Sequence, residues 1–141
     1  MSELLAEVPA FEVSLDMTAP LQKHWSLGRA LAPLRDEGVL VVGSGNIVHS
    51  FAGVDWREDA RPHAWAEEFD AWIADALLRG DESALVGYES AGTIAHLSVP
   101  TTDHYLPLLY PAAMRADGDS VTFPYTGIDM ASMSMRCVRF G

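Results

Sequence analysis

Val39-Leu40-Val41-Val42-Gly43 is apolar at four consecutive positions and ends on glycine. An unbroken β-branched and aliphatic run predicts a strand covered on both faces, the pattern of a central strand in an α/β sheet. Ser44-Gly45-Asn46 follows as a tight turn. It delivers Ile47, Val48 and His49 just past the carboxyl end of the strand, where open α/β sheets bind ligands. His49 is therefore the first candidate functional residue.

Upstream, Phe11-Glu12-Val13-Ser14-Leu15 alternates apolar and polar side chains and predicts a strand over residues 11–16. Pro20 suits a first helical turn. Leu27, Ala30, Leu31 and Leu34 then recur at helical spacing until Gly38, with a kink expected at Pro33. Downstream, residues 52–63 are polar and mixed. Trp65, Phe69, Trp72, Ile73, Ala76 and Leu77 then mark the buried face of a helix ending at Gly80, with Glu67, Glu68, Asp70 and Asp75 expected on its solvated face. Residues 85–95 predict a short helix and loop around Gly87 and Gly92. Thr101-Thr102-Asp103 predicts the start of a helix carrying His104, Leu106, Leu108, Leu109 and Ala112, with Pro107 in its first turn. Residues 120–125 and 134–140 read as two closing strands. The expected fold class is α/β, one domain over residues 1–141 with a central mixed sheet flanked by helices.

The 141 residues suit one domain, and 49% hydrophobic with 21% charged residues is ordinary globular usage. Nine Lys plus Arg against 20 Asp plus Glu give a formal charge of −11. That sign opposes binding to nucleic acid or anionic membrane. Cys137 stands alone, which excludes an internal disulfide framework. Apolar runs are too short to span a bilayer, and Met1-Ser2-Glu3 lacks a basic leader region, so a cytoplasmic location is expected.

The self-contained signatures HExxH, CxxC, P-loop, GxSxG and GxGxxG are absent, which leaves the histidines His24, His49, His63, His96 and His104. His49 and His104 stand apart by context, and both are expected to face one site above the sheet. Imidazole suits both metal ligation and proton transfer near neutral pH. Two imidazoles leave a metal site incomplete.

Four ordered motifs carry a resemblance. They are Leu27-Gly28-Arg29-Ala30-Leu31-Ala32-Pro33-Leu34-Arg35-Asp36-Glu37-Gly38, Gly43-Ser44-Gly45-Asn46-Ile47-Val48-His49, Pro100-Thr101-Thr102-Asp103-His104-Tyr105-Leu106-Pro107-Leu108-Leu109 and Ser132-Met133-Ser134-Met135. Together they resemble the class III extradiol ring-cleavage dioxygenases, nearest to the 4,5-DOPA dioxygenase type and related to the catalytic subunit of protocatechuate 4,5-dioxygenase. The resemblance implies that this sequence corresponds to the carboxyl-terminal half of such an enzyme. The half bearing a His-Gly-Ser motif and a second ligand histidine has no counterpart in residues 1–20, and His24 is expected to be structural.

By the same resemblance His104 is a metal ligand, and His49 is an acid/base that also counts among metal ligands. Asn46 and Asp103 would support them, Asp103 alternatively serving as a helix cap. The implied cofactor is one Fe(II) or Zn(II) ion, and the implied reactants are a catechol-type molecule and O₂. A partner chain supplying the other half, or a homodimer, is the implied assembly. Competing expectations are a truncated product that folds without turnover, a binding or regulatory domain, and a small metal-binding protein unrelated to ring cleavage.

Overall fold

The computed structural model describes residues 8–141, so the Met1-Ser2-Glu3 reading lies outside the described residues. Helix α1 spans Leu21–Leu31 and tightens into a 3₁₀ turn at Ala32–Arg35. This is the expected kink, since Pro33 supplies no N–H for an α-helical bond. The buried face of α1 is His24, Trp25 and Gly28, while Leu27 is exposed, so the expected leucine stripe is not the core face. Gly28 explains the difference. A Cβ there would lie 2.9 Å from both Ala113 Cβ and the Tyr110 carbonyl oxygen, so the helix approaches its neighbour on the glycine side. Gly28→Ala should destabilise the domain by about 1–3 kcal/mol through overpacking. A urea unfolding midpoint unchanged from wild type would mean that the two helices separate freely.

A 3₁₀ turn at Phe51–Gly53 precedes helix α2 over Ala64–Arg79, which ends at Gly80 as expected. Helices α3 (Glu82–Val86) and α4 (Thr93–Ser98) flank a 3₁₀ turn at Tyr88–Ala91, and α5 covers Leu106–Ala113. Phe69, Ile73, Ala76 and Leu77 of α2 are buried with Leu85, Tyr88, Ala95, Tyr105, Leu106 and Leu109 in one core. Asp70 departs from the expected solvated face: it is buried and accepts hydrogen bonds from the Ser134 hydroxyl and from Arg136 Nε, the latter at 3.0 Å to Oδ2.

The closing strands are β1 (Val121–Tyr125) and β4 (Cys137–Phe140), paired antiparallel with Val121 opposite Phe140. Between them, β2 (Ile128–Asp129) and β3 (Met133–Ser134) form a second antiparallel ladder that the sequence reading did not resolve. Its tight connection holds Met130 and Ala131 at positive φ. The class is α/β, helices with small antiparallel sheets, and the sheet strands among the described residues lie in these two ladders.

Residues 11–16 and 39–43, expected as strands, lie outside either ladder and form no helix or turn. Val39 and Val41 are half-buried, whereas Leu40 and Val42 are 85% and 76% exposed. The run is covered on one face.

Candidate active site

Residues 46–50 are fastened on three sides. The Asn46 N–H donates to the His104 carbonyl (2.9 Å), and its side-chain amide donates to the Ser134 carbonyl (2.7 Å). Ser134 N–H donates to the Val48 carbonyl and His49 N–H to the Ser98 carbonyl, both at 2.9 Å, and a bridge joins His49 to Met133. Close approach makes this possible: a Cβ at Gly43 or Gly45 would overlap the carbonyl oxygens of Pro107 and His104 respectively. The glycines seen in the sequence as a turn thus let the chain lie against the entry to α5.

This stitching brings His49 and His104 together, with ring centroids 4.9 Å apart at 30°. His49 is 2% exposed, and its Nε2 lies 2.8 Å from the Thr101 carbonyl oxygen and its Nδ1 3.3 Å from that of Asn46. A neutral imidazole donates from one nitrogen only, and the shorter contact assigns the proton to Nε2. His104 is exposed and makes no hydrogen bond through its ring among the described residues. It borders a cleft of about 520 Å³ lined mainly by apolar groups, including Val39, Val41, Leu108 and Val138, with Asn46 also on its wall and the buried His49 behind it.

Asp103 sits in the turn before α5 and does not cap it, because the capping position is Tyr105. Its Oδ1 accepts the Thr101 hydroxyl and its Oδ2 lies 3.6 Å from His104 Nε2. The Thr101 hydroxyl holds the Asp103 carboxyl below its usual range, and the neighbouring His104 adds to the effect. Thr101 therefore touches His49 through its carbonyl and, through its hydroxyl, the Asp103 that lies beside His104. In the sequence Thr101 stands in a helix start and in the Pro100–Leu109 motif without a role of its own, and its place two residues before Asp103 is the available signal.

Burial pushes the His49 pKa below its ordinary 6.5 and the nearby His104 adds to that, while the Thr101 and Asn46 carbonyls work in the opposite direction. The stabilising consequence has a definite sign. Above about pH 6.5 the residue is neutral in both states, and as pH falls the unfolded chain takes up the proton first. The His49 contribution to stability is thus complete above that pH and declines below it. Urea midpoints should fall between about pH 7 and pH 5, and a constant difference between wild type and His49→Gln across that range would contradict the assignment.

The remaining histidines are elsewhere. His24 is buried between the Tyr110 hydroxyl (2.8 Å) and the Asp16 carbonyl (3.0 Å), a structural tie. His63 lies 2.7 Å from the Gly53 carbonyl and stacks on Trp65, and His96 is exposed on α4. Among the described residues no three His, Cys, Asp or Glu side chains gather closely enough to hold a metal ion. With His49 Nε2 facing a carbonyl, His104 is the one free imidazole of the pair, and a single donor does not fit a metal by itself.

A buried imidazole, fixed by backbone contacts and packed against a second imidazole that lines an apolar cleft, defines a partial site in an α/β domain. The chain matches, over residues 1–122, the family described as the catalytic LigB subunit of aromatic ring-opening dioxygenase. It is 40% identical to a protein of Escherichia coli K12 named 4,5-DOPA dioxygenase extradiol, over 96% of this chain and 51% of that protein. The protein of the same name from Portulaca grandiflora is 39% identical over 81% of this chain and 41% of its own length. A crystal structure of an uncharacterised E. coli K12 protein superposes with a TM-score of 0.84 at 38% identity, over 91% of this chain and 53% of that one.

The chain belongs to the LigB family of aromatic ring-opening dioxygenases. It spans about half the length of the curated relatives it matches. No helix among the described residues is long and apolar enough to cross a membrane.

Proposed function

We propose that residues 1–141 are the carboxyl-terminal half-domain of an extradiol dioxygenase that opens a catechol-type ring with O₂, and that the site is completed by a second polypeptide unit. The observation that carries this reading is the His49–His104 pair, ring centroids 4.9 Å apart, of which His104 lines an apolar cleft, in a chain of this family. In this reading His49 is the acid/base that accepts and returns a proton of the bound diol, a role open to an imidazole because its ring nitrogens can both take up and release a proton. His104 is the ligand this chain contributes to a shared Fe(II) or Zn(II) ion, whose other donors come from the partner unit. Asn46 and Asp103 hold the two histidines in register, with Thr101 as a further positioning residue.

Acidic charge argues against nucleic acid and anionic membrane as partners, and the lone Cys137 fits a reducing, cytoplasmic setting.

A second reading is a non-catalytic scaffold, or a small-aromatic or metal-binding domain, that pairs with another chain. It is favoured by one observation: both ring nitrogens of His49 face backbone carbonyls. Oxygen uptake and ring-opened product decide between them. The chain should be inactive with Fe(II) alone and active towards DOPA when co-produced with the half of the E. coli relative that it does not match. Binding of DOPA without oxygen uptake in that complex would favour the scaffold.

A further inference from the structure

All four side chains from Val39 to Val42 are apolar, yet Leu40 and Val42 stand in solvent beside half-buried Val39 and Val41. Monomeric proteins rarely present such a run without a covering layer. The backbone is equally bare. Among the described residues, no N–H or C=O of residues 40–45 takes part in a backbone hydrogen bond, and the flanking bonds are Val39 N–H to Leu34 and Asn46 N–H to His104. Strand β4 has β1 on one side and, among the described residues, no strand on the other, and residues 136–140 line the same cleft as residues 39–47.

A segment whose main-chain groups make no backbone hydrogen bond among the described residues, and whose apolar face is uncovered, is a template for strand addition. We propose that residues 40–45 are a docking strand, paired in extended conformation by the polypeptide unit corresponding to the half of the relatives that this chain does not match, with Leu40 and Val42 buried beneath it. The inference rests on the half-domain reading above and specifies where the halves join. The matched relatives carry about as much chain again as this one covers, enough to supply a covering layer. A second copy is disfavoured by charge, because each chain carries a formal −11. The carboxyl end of the strand is pinned at Asn46 to His104, so docking places the incoming unit beside the histidine pair.

The test co-produces the full chain with the tagged unmatched half of the E. coli relative and compares wild type with Leu40→Asp/Val42→Asp. Wild type should co-purify, with amide hydrogen exchange at residues 40–45 slowed by about 10²-fold or more relative to the lone chain. The double variant should lose at least about tenfold in affinity while the lone variant keeps its Tm within about 2 °C, because both side chains are already exposed. Co-purification with residues 40–45 still exchanging rapidly would overturn the docking strand and leave the half-domain reading standing. A variant chain that unfolds alone would show that Leu40 and Val42 belong to its own core, again overturning it. A lone-chain dimer that the variant dissociates would make the occupant a second copy. Failure of the wild-type halves to associate at all would sink both.

Discussion

Asp70→Ala is expected to destabilise the domain by about 3–5 kcal/mol, the range for removing one partner of a buried ion pair. Its carboxylate accepts from Arg136 Nε and Nη2 and from the Ser134 hydroxyl, with the Arg136 and Asp70 side chains 12% and 8% exposed. The guanidinium also lies over the Phe123 ring, 4.6 Å from its centroid, which fixes it against β1. Truncating Asp70 strands a positive charge and frees the hydroxyl of a serine on β3, the strand that holds residues 48 and 49. The destabilisation should thus spread to the histidine pair. Asp70→Leu/Arg136→Met should recover much of the loss, since it removes the uncompensated charge instead of leaving it buried. Urea denaturation of the single and double variants measures both effects. A loss below about 1 kcal/mol in Asp70→Ala would mean that water in the cleft screens Arg136 as it would an exposed residue. The exposed Arg79–Asp75 pair provides the contrast, and its removal should leave the unfolding midpoint almost unchanged.

Asp70 also illustrates what the sequence conceals. Helix α2 is legible because six aromatic or aliphatic residues repeat on one face and Gly80 stops them. The charges on its other face look alike in sequence. Only the fold brings Arg136, 66 residues away, beneath one of them. Similarly, α1 is readable as a helix from its periodicity, but its buried stripe is set by the close approach at Gly28, which depends on α5. The β1 and β4 strands follow from local pattern, whereas two-residue strands such as β2 and β3 have too few residues to show a period.

The run at residues 39–42 is the instructive disagreement. Local pattern reports what the sequence is suited to bury, and a run apolar at every position is suited to burial on both sides. The lone chain supplies one of those sides. Strand formation needs a hydrogen-bonding neighbour as well as a pattern, and none of the described residues provides one. The candidate site was more legible than the sheet. His49, His104, Asn46 and Asp103 were singled out from motifs, and they do lie together. Thr101 was hidden because half of its contribution comes from a backbone carbonyl, which carries no residue identity.

Catalysis in the completed enzyme should respond most strongly to His49. Removal of a general acid/base usually lowers the rate by 10²- to 10⁴-fold, so His49→Ala in the co-produced pair should reduce ring opening by about 10²-fold or more. The residue is buried, and a cavity alone could disturb the site, so the loss must be separated from unfolding. His49→Gln serves that purpose, because its side-chain amide can still donate towards the Thr101 carbonyl while it cannot carry a proton between substrate and product. It should keep the fold and substrate affinity of wild type and lose kcat, and the limb of the pH profile belonging to the base should disappear. Thr101→Val should behave differently. It keeps the carbonyl that holds His49 and removes the hydroxyl that holds Asp103, so proton transfer survives and the defect should be smaller than that of His49→Gln. Full activity in His49→Gln would assign the proton transfer to another group and leave His49 as a structural link between residues 46 and 101.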